Sequence, residues 1–498
     1  MKSNYKYLTN ITLLCSLILF IGCNEFLSEI PDNRSQIDSP DKISQLITGA
    51  YSTANYQLMA SIMSDNSEIK VEGIGDRMQK TLYNWEDATT FETDRDSPTY
   101  FWNNTYAAIS QANAALEAIS KLEGKYDLKS QKGEALIARA YGHFMIANFW
   151  CKQYNPKSAK TDLGIPYVLK PEKNLIQNYD RGTLAEVYEL IEKDLEEGLA
   201  IVGNDYVAPK FHFTELSASA FAARFYLYKG DWDKVIKYSS KAVTNPEKQL
   251  RNMVAYKALS YDGNRLLYPS VKEESNLLIA STASLWARRF AGTNFGLSIN
   301  KANQLFFGSP GNPFKKSWAY TVYGGTDLVY NFPKFREYFK ITNQNAGIGS
   351  PYTGIVLFDR DETILNRAEA YVMKENYASA LKDLNIFLSK KTLSYNATTD
   401  ILTEDMVVAQ YPVVPKEYTP FYTLNDKQTS FVKFIAELKR RESYHQGLRW
   451  FDVKRFDLEV SRKLSILGDP NVLVKGDKRR LLKIPKNALN FGIVDNPR

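Results

Sequence analysis

The sequence contains two related copies of one pattern, and this repeat constrains the fold more than any other feature. Residues 221–236 read FAARFYLYKGDWDKVI and residues 366–381 read NRAEAYVMKENYASAL, at an offset of 145 positions (366 − 221). In each copy a helical pattern of apolar residues ends at a short polar turn. A second helical pattern then begins with an aromatic residue, Trp232 in the first copy and Tyr377 in the second. The spacing predicts two helical hairpins.

These hairpins indicate a larger helical architecture. A hairpin of this tetratricopeptide-like kind buries one shared seam and needs neighbouring hairpins to cover its remaining apolar surface. Helical periodicity is also present near residues 106–119, 133–150 and 183–200. Thr183 and Glu186 form a capping-box pattern at the start of the last segment. The copies do not recur at a regular period, so the sequence predicts hairpins separated by long insertions rather than a plain solenoid.

Helical periodicity lapses between about residues 245 and 355. Short apolar runs such as 277–280 alternate there with aromatic residues and with glycines that include Gly263, Gly292, Gly296, Gly308, Gly311, Gly324 and Gly325. We expect loops and short strands in this segment, which we call the insertion. An insertion of this length in a compact protein usually carries function, so it is the first place to look for a ligand site.

The N-terminus is typical of an export signal. Two lysines precede an uncharged apolar run, residues 11–21, which is followed by Gly22 and Cys23. The run is too short to span a bilayer, which takes about 20 apolar residues. Gly22-Cys23 resembles a bacterial lipobox, although Phe20 stands where leucine is more usual. We therefore predict a lipoprotein that is cut before Cys23 and acylated there; the alternative is a plain secretory signal with an incidental cysteine.

The predicted cleavage divides the chain into three parts: a leader over residues 1–22, a lipidated tether over 23–40 and one folded domain over 41–498. The mature chain then keeps two cysteines, Cys23 and Cys151. A bridge between them would compete with acylation of Cys23. Free cysteine is among the most buried residue types, so Cys151 is expected to be a buried apolar side chain.

The charge balance argues against nucleic acid as a partner. The chain has 63 Lys+Arg and 56 Asp+Glu, a formal net charge of +7 that falls to +5 when Lys2 and Lys6 leave with the leader. A surplus this small forms no basic stripe that could follow a phosphate backbone.

No motif in the sequence predicts catalysis, a metal or a cofactor. The three histidines, His143, His212 and His445, are far apart and lack metal-ligand spacing. Serine-nucleophile elbows and phosphate loops are absent as well. Two aspartate pairs could offer oxygen to calcium but lack the glycine and glutamate of an EF-hand loop: Asp94 with Asp96, and Asp359 with Asp361. A hydrolase would need two carboxylates about 5–10 Å apart, and no pair is singled out.

The C-terminal segment 437–456, ELKRRESYHQGLRWFDVKRF, is rich in arginine and acidic residues. Arg449, Asp452 and Arg455 are spaced three apart, so on a helix they would form one ion-paired row that locks the C-terminal helix to the body. The segment resembles the signature of SusD/RagB-type outer-membrane nutrient-binding lipoproteins. Residues that occupy the pattern are Arg440, Glu442, Gly447, Arg449, Trp450, Asp452 and Arg455; departures are Leu438, Lys439, His445 and Gln446.

Other segments resemble the same family in the same order along the chain. They include Cys23 to Pro31 after the lipobox, the Trp102, Tyr106 and Asn113 pattern, the Gly164-Ile165-Pro166 run and both hairpins. The resemblance implies a mostly α-helical fold of about four tetratricopeptide-like helix pairs with a loop-rich ligand face. It also implies a lipid-anchored protein on the outside of the outer membrane. There it would cap a SusC-like TonB-dependent transporter and deliver oligosaccharides to it, without performing chemistry.

A glycan-binding protein needs exposed flat rings, because the C–H faces of sugars stack on aromatic side chains. Aromatic residues outside the helical stripes lie in the 65–101 segment and in the insertion. The predicted ligand-binding residues are Tyr83, Trp85, Trp286, Trp318, Tyr320 and Tyr323. Two other interpretations remain open: the same fold binding peptides or another non-carbohydrate nutrient, and a protein-interaction scaffold that uses its helical hairpins.

Overall fold

The computed structural model describes residues 37–70, 76–172, 177–308, 311–324, 330–465 and 468–498. The predicted leader 1–22, Cys23 and most of the tether 23–40 lie outside these residues. In the described part of the chain, no helix combines the length and the apolar character that a membrane span requires.

Helices account for most of the ordered elements. In chain order they are α1 Pro40–Thr48, α2 Gln57–Met63, α3 Arg77–Tyr83, α4 Pro98–Lys121, α5 Lys129–Trp150, α6 Leu184–Leu199, α7 Glu215–Lys229, α8 Trp232–Ala242, α9 Pro246–Gln249, α10 Met253–Tyr256, α11 Tyr261–Leu267, α12 Trp286–Gly292, α13 Ile299–Ala302, α14 Arg360–Met373, α15 Tyr377–Ser389, α16 Glu404–Gln410, α17 Asp426–Glu442, α18 Leu448–Arg455 and α19 Lys486–Leu489. The predicted capping box is present at α6, where Thr183 and Glu186 bond reciprocally.

Both predicted hairpins form. The first consists of α7 and α8, and the second of α14 and α15, which follows a turn of three residues. Asp231 and Asn376 occupy equivalent positions, since each accepts a hydrogen bond at the N-terminus of the second helix. Helix α14 packs against α7, α8, α15 and α17, so neighbouring helices cover the seam that one hairpin leaves open. The mostly α, tetratricopeptide-like fold predicted from the repeat is confirmed.

The insertion contains the predicted short strands, together with short helices that the sequence pattern did not predict. The strands of the described chain, of which β1, β8 and β9 lie outside the insertion, are β1 Glu68–Ile69, β2 Asn276–Thr282, β3 Phe295–Gly296, β4 Tyr323–Gly324, β5 Tyr330–Asn331, β6 Glu337–Asn343, β7 Ile348–Asp359, β8 Val460–Lys463 and β9 Pro470–Leu473. These strands pair antiparallel: β1 with β3, β4 with β5, β8 with β9, and a sheet in the order β2-β7-β6. Strand β7 runs directly into α14, which joins the insertion to the second hairpin.

Cys151 lies directly after α5 in the core. It is 1% exposed and free of any disulfide, and burial raises the pKa of its thiol to about 11. The prediction of a buried cysteine is confirmed. A thiol of this kind is held in its neutral, unreactive form.

Candidate ligand-binding site

Five of the six rings predicted to face a ligand are buried. Their exposed fractions lie between 1% and 5% for Tyr83, Trp85, Trp286, Trp318 and Tyr320. The expectation that these rings form an exposed stacking surface is wrong. Loops that pack on a helical body must supply apolar volume of their own, and large rings supply most per residue. Trp318, for example, lies with its ring 5.2 Å from the Arg441 guanidinium of α17.

Arg462 of β8 explains the burial of Tyr83 and Trp85. Its guanidinium carbon lies 4.5 Å from the Tyr83 ring centre and 3.9 Å from the Trp85 ring centre. The same group donates to the backbone carbonyls of Ile62 and Tyr83, at 2.8 Å and 3.0 Å. Burial lowers the pKa of Arg462 to about 10. These two rings therefore hold a cation from the C-terminal part of the chain.

Trp286 and Tyr320 attach the insertion to the C-terminal signature. The indole N–H of Trp286 donates to the His445 carbonyl at 3.0 Å, and the hydroxyl of Tyr320 donates to Glu442 Oε2 at 3.0 Å. Rings that looked like ligand contacts in the sequence are therefore anchors of the loop-rich segment. Their polar atoms already have partners within the protein.

Glu442 lies at the centre of a buried charge cluster. It pairs with Arg251 Nη1 at 3.1 Å and with Lys391 Nζ at 2.9 Å, and Lys391 also pairs with Asp361 at 2.8 Å. Burial alone would raise the pKa of Glu442, but the Lys391 and Arg251 charges lower it to about 2. Arg251 belongs to the insertion, Asp361 to α14 and Glu442 to α17. The cluster thus joins the insertion to two helices of the scaffold.

The rest of the signature fixes α18. Arg455 pairs with Glu369 of α14 and, at 2.9 Å, with Asp452. Arg449 pairs instead with Asp65 at 2.8 Å, so only the Asp452–Arg455 half of the predicted row forms. The physical reason is Gly447, whose φ of 78° starts α18 in a new direction after α17 and places Arg449 beside the Asp65 carboxylate.

The remaining signature residues are also structural. Arg440 donates to the Asn66 side chain at 2.7 Å, and Trp450 is 1% exposed. The six signature residues that carry a side chain are each 6% exposed or less, so none of them lies on an open surface.

The two aspartate pairs considered for calcium are engaged by arginine. Asp94 pairs with Arg289 at 3.2 Å, and Asp359 pairs with Arg251 at 3.4 Å. Among the described residues, no group of three or more His, Cys, Asp and Glu side chains is arranged to hold a metal ion. The arginines occupy the positions from which the carboxylates would bind a cation.

Tyr323 is the one predicted ring that stays half-exposed, and other rings of the insertion lie beside it. Its ring centre is 5.0 Å from that of Tyr261, in an edge-to-face arrangement. On the opposite face of the β4–β5 ribbon, Tyr330 lies 6.1 Å from Phe307, which is 49% exposed. Gly324 makes room for the Tyr330 ring, because a Cβ at Gly324 would meet that ring at 2.8 Å.

A stacked ring pair lies on strands β6 and β7, the next two strands along the chain. Tyr338 of β6 and Tyr352 of β7 are directly paired across the sheet, with ring centres 5.3 Å apart and planes inclined by 21°. Both are half-exposed, and the Arg336 guanidinium is 5.6 Å from the Tyr338 ring. We call these rings together the insertion face; they lie on both sides of the β4–β5 ribbon and on strands β6 and β7: Tyr261, Phe307, Tyr323, Tyr330, Tyr338 and Tyr352.

Sequence reasoning found Tyr323 and missed the other rings of the insertion face. A usable signal was present at Tyr338 and Tyr352, since each stands in a stretch with several aromatic and β-branched residues that forms a strand. The chain has 32 tyrosines, however, and choosing among them requires the strand register.

Comparisons with known proteins give a consistent result. Residues 25–227 match a family model of SusD-like proteins whose description is starch-binding associating with outer membrane. A search of curated proteins finds no match. Solved structures share the fold: a SusD superfamily protein from Bacteroides thetaiotaomicron is 18% identical with a TM-score of 0.68, covering 92% of this chain and 100% of that one.

Two other structures extend the comparison. A SusD superfamily protein from Bacteroides vulgatus is 16% identical with a TM-score of 0.68 and covers 93% of this chain and 99% of its own. A laminarin-binding SusD-like protein is 15% identical with a TM-score of 0.57 and covers 92% and 98%. At these identities the comparison supports a shared fold and nothing finer.

Proposed function

We propose that this protein is of the SusD type, captures oligosaccharides at the cell surface and delivers them to a SusC-like TonB-dependent transporter. The match of residues 25–227 to a family described as starch-binding carries the proposal. The laminarin-binding neighbour adds support for a carbohydrate ligand. We expect the captured ligand to pass to the transporter chemically unchanged.

The insertion face is the proposed capture surface. Its rings are half-exposed, and polar groups stand beside them: Asn331 accepts from the Tyr261 hydroxyl at 3.1 Å, and Arg265 lies 5.3 Å from the Tyr261 ring. Sugars are bound by this combination, in which a ring takes the C–H face and amide or guanidinium groups take the hydroxyls.

The proposed location of the protein is the outer membrane, to which a lipid on Cys23 would anchor it. The leader 1–22 and the tether 23–40 would place the single domain 41–498 outside the cell. The Cys23→Ser variant is expected to leave the outer-membrane fraction and to incorporate no labelled palmitate, while the wild-type chain does both. Membrane retention of the variant would contradict lipid anchoring.

The absence of catalysis is proposed from the state of the carboxylates. Those of the signature and of both aspartate pairs are engaged by basic groups, as at Glu442 and Asp359. A glycosidase needs one carboxylic acid and one carboxylate free to face the bond that is broken. Release of new reducing ends from any polysaccharide by the purified protein would disprove this part of the proposal.

Affinity gel electrophoresis against plant, host and microbial polysaccharides tests the capture function. We expect one or a few polysaccharides to retard the protein. Tyr338→Ala and Tyr323→Ala should each weaken binding about five- to tenfold, the loss expected for one stacked ring. Tyr126→Ala is the matched control, because Tyr126 is 38% exposed in the turn after α4 and lies outside the insertion face.

Two outcomes would count against the proposed site or ligand. If retardation by a polysaccharide is unchanged in both insertion-face variants, the capture surface is elsewhere. If no polysaccharide retards the protein, the carbohydrate ligand is wrong and a peptide ligand becomes the better hypothesis. Copurification with a TonB-dependent transporter from membranes tests delivery separately, because it does not depend on the ligand.

A further inference from the structure

A groove runs along one face of α4, remote in sequence from the insertion. Its first part is a cavity of about 290 Å³ over Trp102, Asn103, Tyr106 and Ser110. It opens into a wider concavity of about 800 Å³ over the later residues Asn113, Leu116, Glu117 and Ser120. Val168, Lys170 and Tyr179 line both parts, so the groove is continuous. From Trp102 to Ser120 the helix rises about 27 Å, which is a length suited to a chain-like ligand.

Aromatic rings form the floor and one wall of the cavity. The Trp102 and Tyr106 ring centres are 4.9 Å apart. Tyr179 is half-exposed, and Phe491 is 37% exposed at the rim. Two of these rings are held in place by hydrogen bonds: the Tyr106 hydroxyl donates to the Pro166 carbonyl at 2.9 Å, and Tyr179 bonds to Glu172. The rings therefore need little reordering to receive a ligand.

Trp102 has an unused hydrogen-bond donor. The residue is 4% exposed and its side chain lines the cavity. Among the described residues, no acceptor is bonded to its indole N–H, whereas the indoles of Trp85 and Trp150 each donate to a backbone carbonyl at 2.9 Å. This N–H is not enclosed by protein, so an oxygen atom in the cavity would accept it.

The polar groups of the cavity favour a neutral ligand. The Asn487 amide donates to the Asn103 amide at 3.1 Å, and Ser110 lies on the same helix face. Amides and hydroxyls both donate and accept, as sugar hydroxyls do. The charges of Lys170 and Glu172 are opposite, so the cavity offers no net charge to an anion or a cation.

We infer that this groove is a second oligosaccharide-binding site, in which a neutral sugar stacks on the half-buried Tyr106 and Tyr179 rings and a sugar oxygen accepts the Trp102 indole N–H. The inference shares its ligand class with the proposed function and uses none of the residues of the insertion face. A protein with two such surfaces would hold one glycan chain at two points, or two chains at once.

Indole resonances provide a direct test. The chain has seven tryptophans, and the Trp102→Phe variant of the purified, ¹⁵N-tryptophan-labelled protein assigns the Trp102 signal by its loss. The probes are maltoheptaose, laminariheptaose, cellohexaose, xylohexaose and mannohexaose. We expect at least one probe to shift the Trp102 signal while the Trp85 and Trp232 signals, assigned in the same way by phenylalanine variants, stay in place.

Variants separate this site from the insertion face. The Tyr323→Ala/Tyr338→Ala double variant should keep the Trp102 shift, whereas Asn103→Ala and Phe491→Ala should each weaken it about three- to tenfold. Tyr126→Ala should leave it unchanged. Asn103 and Phe491 are exposed, so these variants are expected to fold.

Three results would overturn the inference. The first is that no probe shifts the Trp102 signal, even when the insertion face binds sugar. The second is that the shift vanishes in the double variant of the insertion face, which would assign it to that surface. The third is that a neutral heptapeptide shifts the signal when no sugar does, which would make the groove a peptide site. A Trp102 shift together with unchanged polysaccharide retardation of the insertion-face variants would instead count against the proposed capture surface alone.

Discussion

Arg455 shows how a single buried charge holds the scaffold together. It is 2% exposed, and its bidentate partner Glu369 is 0% exposed. Although burial opposes ionisation of Glu369, the Arg455 and Lys439 charges lower the pKa of its carboxyl to about 2. Arg455→Ala leaves this carboxylate with Lys439 as its remaining cation. We expect the free energy of unfolding to fall by about 3–5 kcal/mol, measured by urea denaturation.

Arg288 offers a matched control for Arg455. It also pairs with a glutamate, Glu337, but its side chain is 57% exposed. Arg288→Ala should cost about 1 kcal/mol or less, because solvent screens the pair. The Arg455→Ala/Glu369→Ala double variant should be less destabilised than the sum of its single variants. Equal losses for Arg455→Ala and Arg288→Ala would contradict the importance of burial.

His143 predicts a pH dependence of stability. Its Nε2 accepts the Val168 N–H at 3.0 Å, and its Nδ1 lies 2.9 Å from the Arg139 carbonyl, so the neutral ring satisfies both contacts. Burial lowers the pKa of His143 to about 3. Below about pH 6.5 His143 is protonated in the unfolded chain but stays neutral in the folded chain. The free energy of unfolding should then fall by about 1.4 kcal/mol per pH unit from this residue as the pH decreases towards 3.

Two measurements check the histidine prediction. The His143 imidazole resonances should not titrate between pH 8 and pH 5. In His143→Gln, the slope of unfolding free energy against pH between 6.5 and 5 should be smaller than in the wild type by about 1.4 kcal/mol per pH unit. An imidazole that titrates near pH 6.5 would show that the ring is not held neutral.

Tyr83 and Trp85 show why residue-level site prediction failed where element prediction succeeded. A ring outside a helical stripe is free, by sequence, to face solvent or to pack. Tyr83 and Trp85 pack because the Arg462 guanidinium contacts both rings, and Arg462 lies 377 positions beyond Trp85 (462 − 85). Periodicity is a local property and carries no information about such a distant partner. The same holds for Trp286, whose acceptor is the His445 carbonyl.

Gly447 controls the direction of the chain between α17 and α18. Its φ of 78° is disfavoured for residues with a side chain, and a Cβ there would lie 2.8 Å from Ala60 Cβ. Gly447→Ala combines backbone strain with a clash against α2, so we expect a loss of about 2–5 kcal/mol in unfolding free energy. Chemical denaturation measures it.

Gly476 separates the two costs at Gly447. It has a φ of 66°, and a Cβ there would meet nothing within 4 Å. Gly476→Ala should therefore show only the backbone term of about 1–2 kcal/mol. If both alanine variants lose the same stability, contact with α2 contributes nothing and the glycine of the signature is explained by its backbone alone.

At the level of elements, the repeat predicted the two hairpins, and helical periodicity predicted α4, α5 and α6. Asp231 and Asn376 cap equivalent helices, and Thr183 with Glu186 caps α6, because these signals act over a few residues. The ion-paired row of α18 was half wrong for the converse reason. Arg449 follows a left-handed residue and pairs with Asp65, far away in sequence.

The whole molecule consists of a helical body and an insertion attached to it by buried charge. Hairpin packing could be predicted because apolar seams must be covered by neighbours. The attachment could not, since Arg251, Lys391 and Glu442 are scattered along the chain and meet only in the folded protein. The proposed capture surface follows the same division, because the insertion face lies in the insertion while the signature lies in the body.

Glu442→Gln should separate these two parts. The substitution keeps the shape of the side chain and removes the negative charge that Arg251 and Lys391 share. Both cations are 0% exposed, so solvent does not screen the loss of the Glu442 charge. We expect proteolytic cleavage within residues 245–355 at urea concentrations where the helical body, followed by circular dichroism, is still folded.

Glu369→Gln is the control for this experiment, because Glu369 joins α14 to α17 and α18 within the helical body and has no contact of its own with Arg251. It should lower the midpoint of global unfolding without making the insertion the first site of cleavage. Cleavage of the insertion in both variants, or in neither before global unfolding, would mean that the insertion and the body unfold as one cooperative unit. Cleavage of the insertion in Glu442→Gln alone would place the attachment of the insertion at Glu442. It would also explain why a residue of the signature, which is not part of the insertion face, matters for that surface.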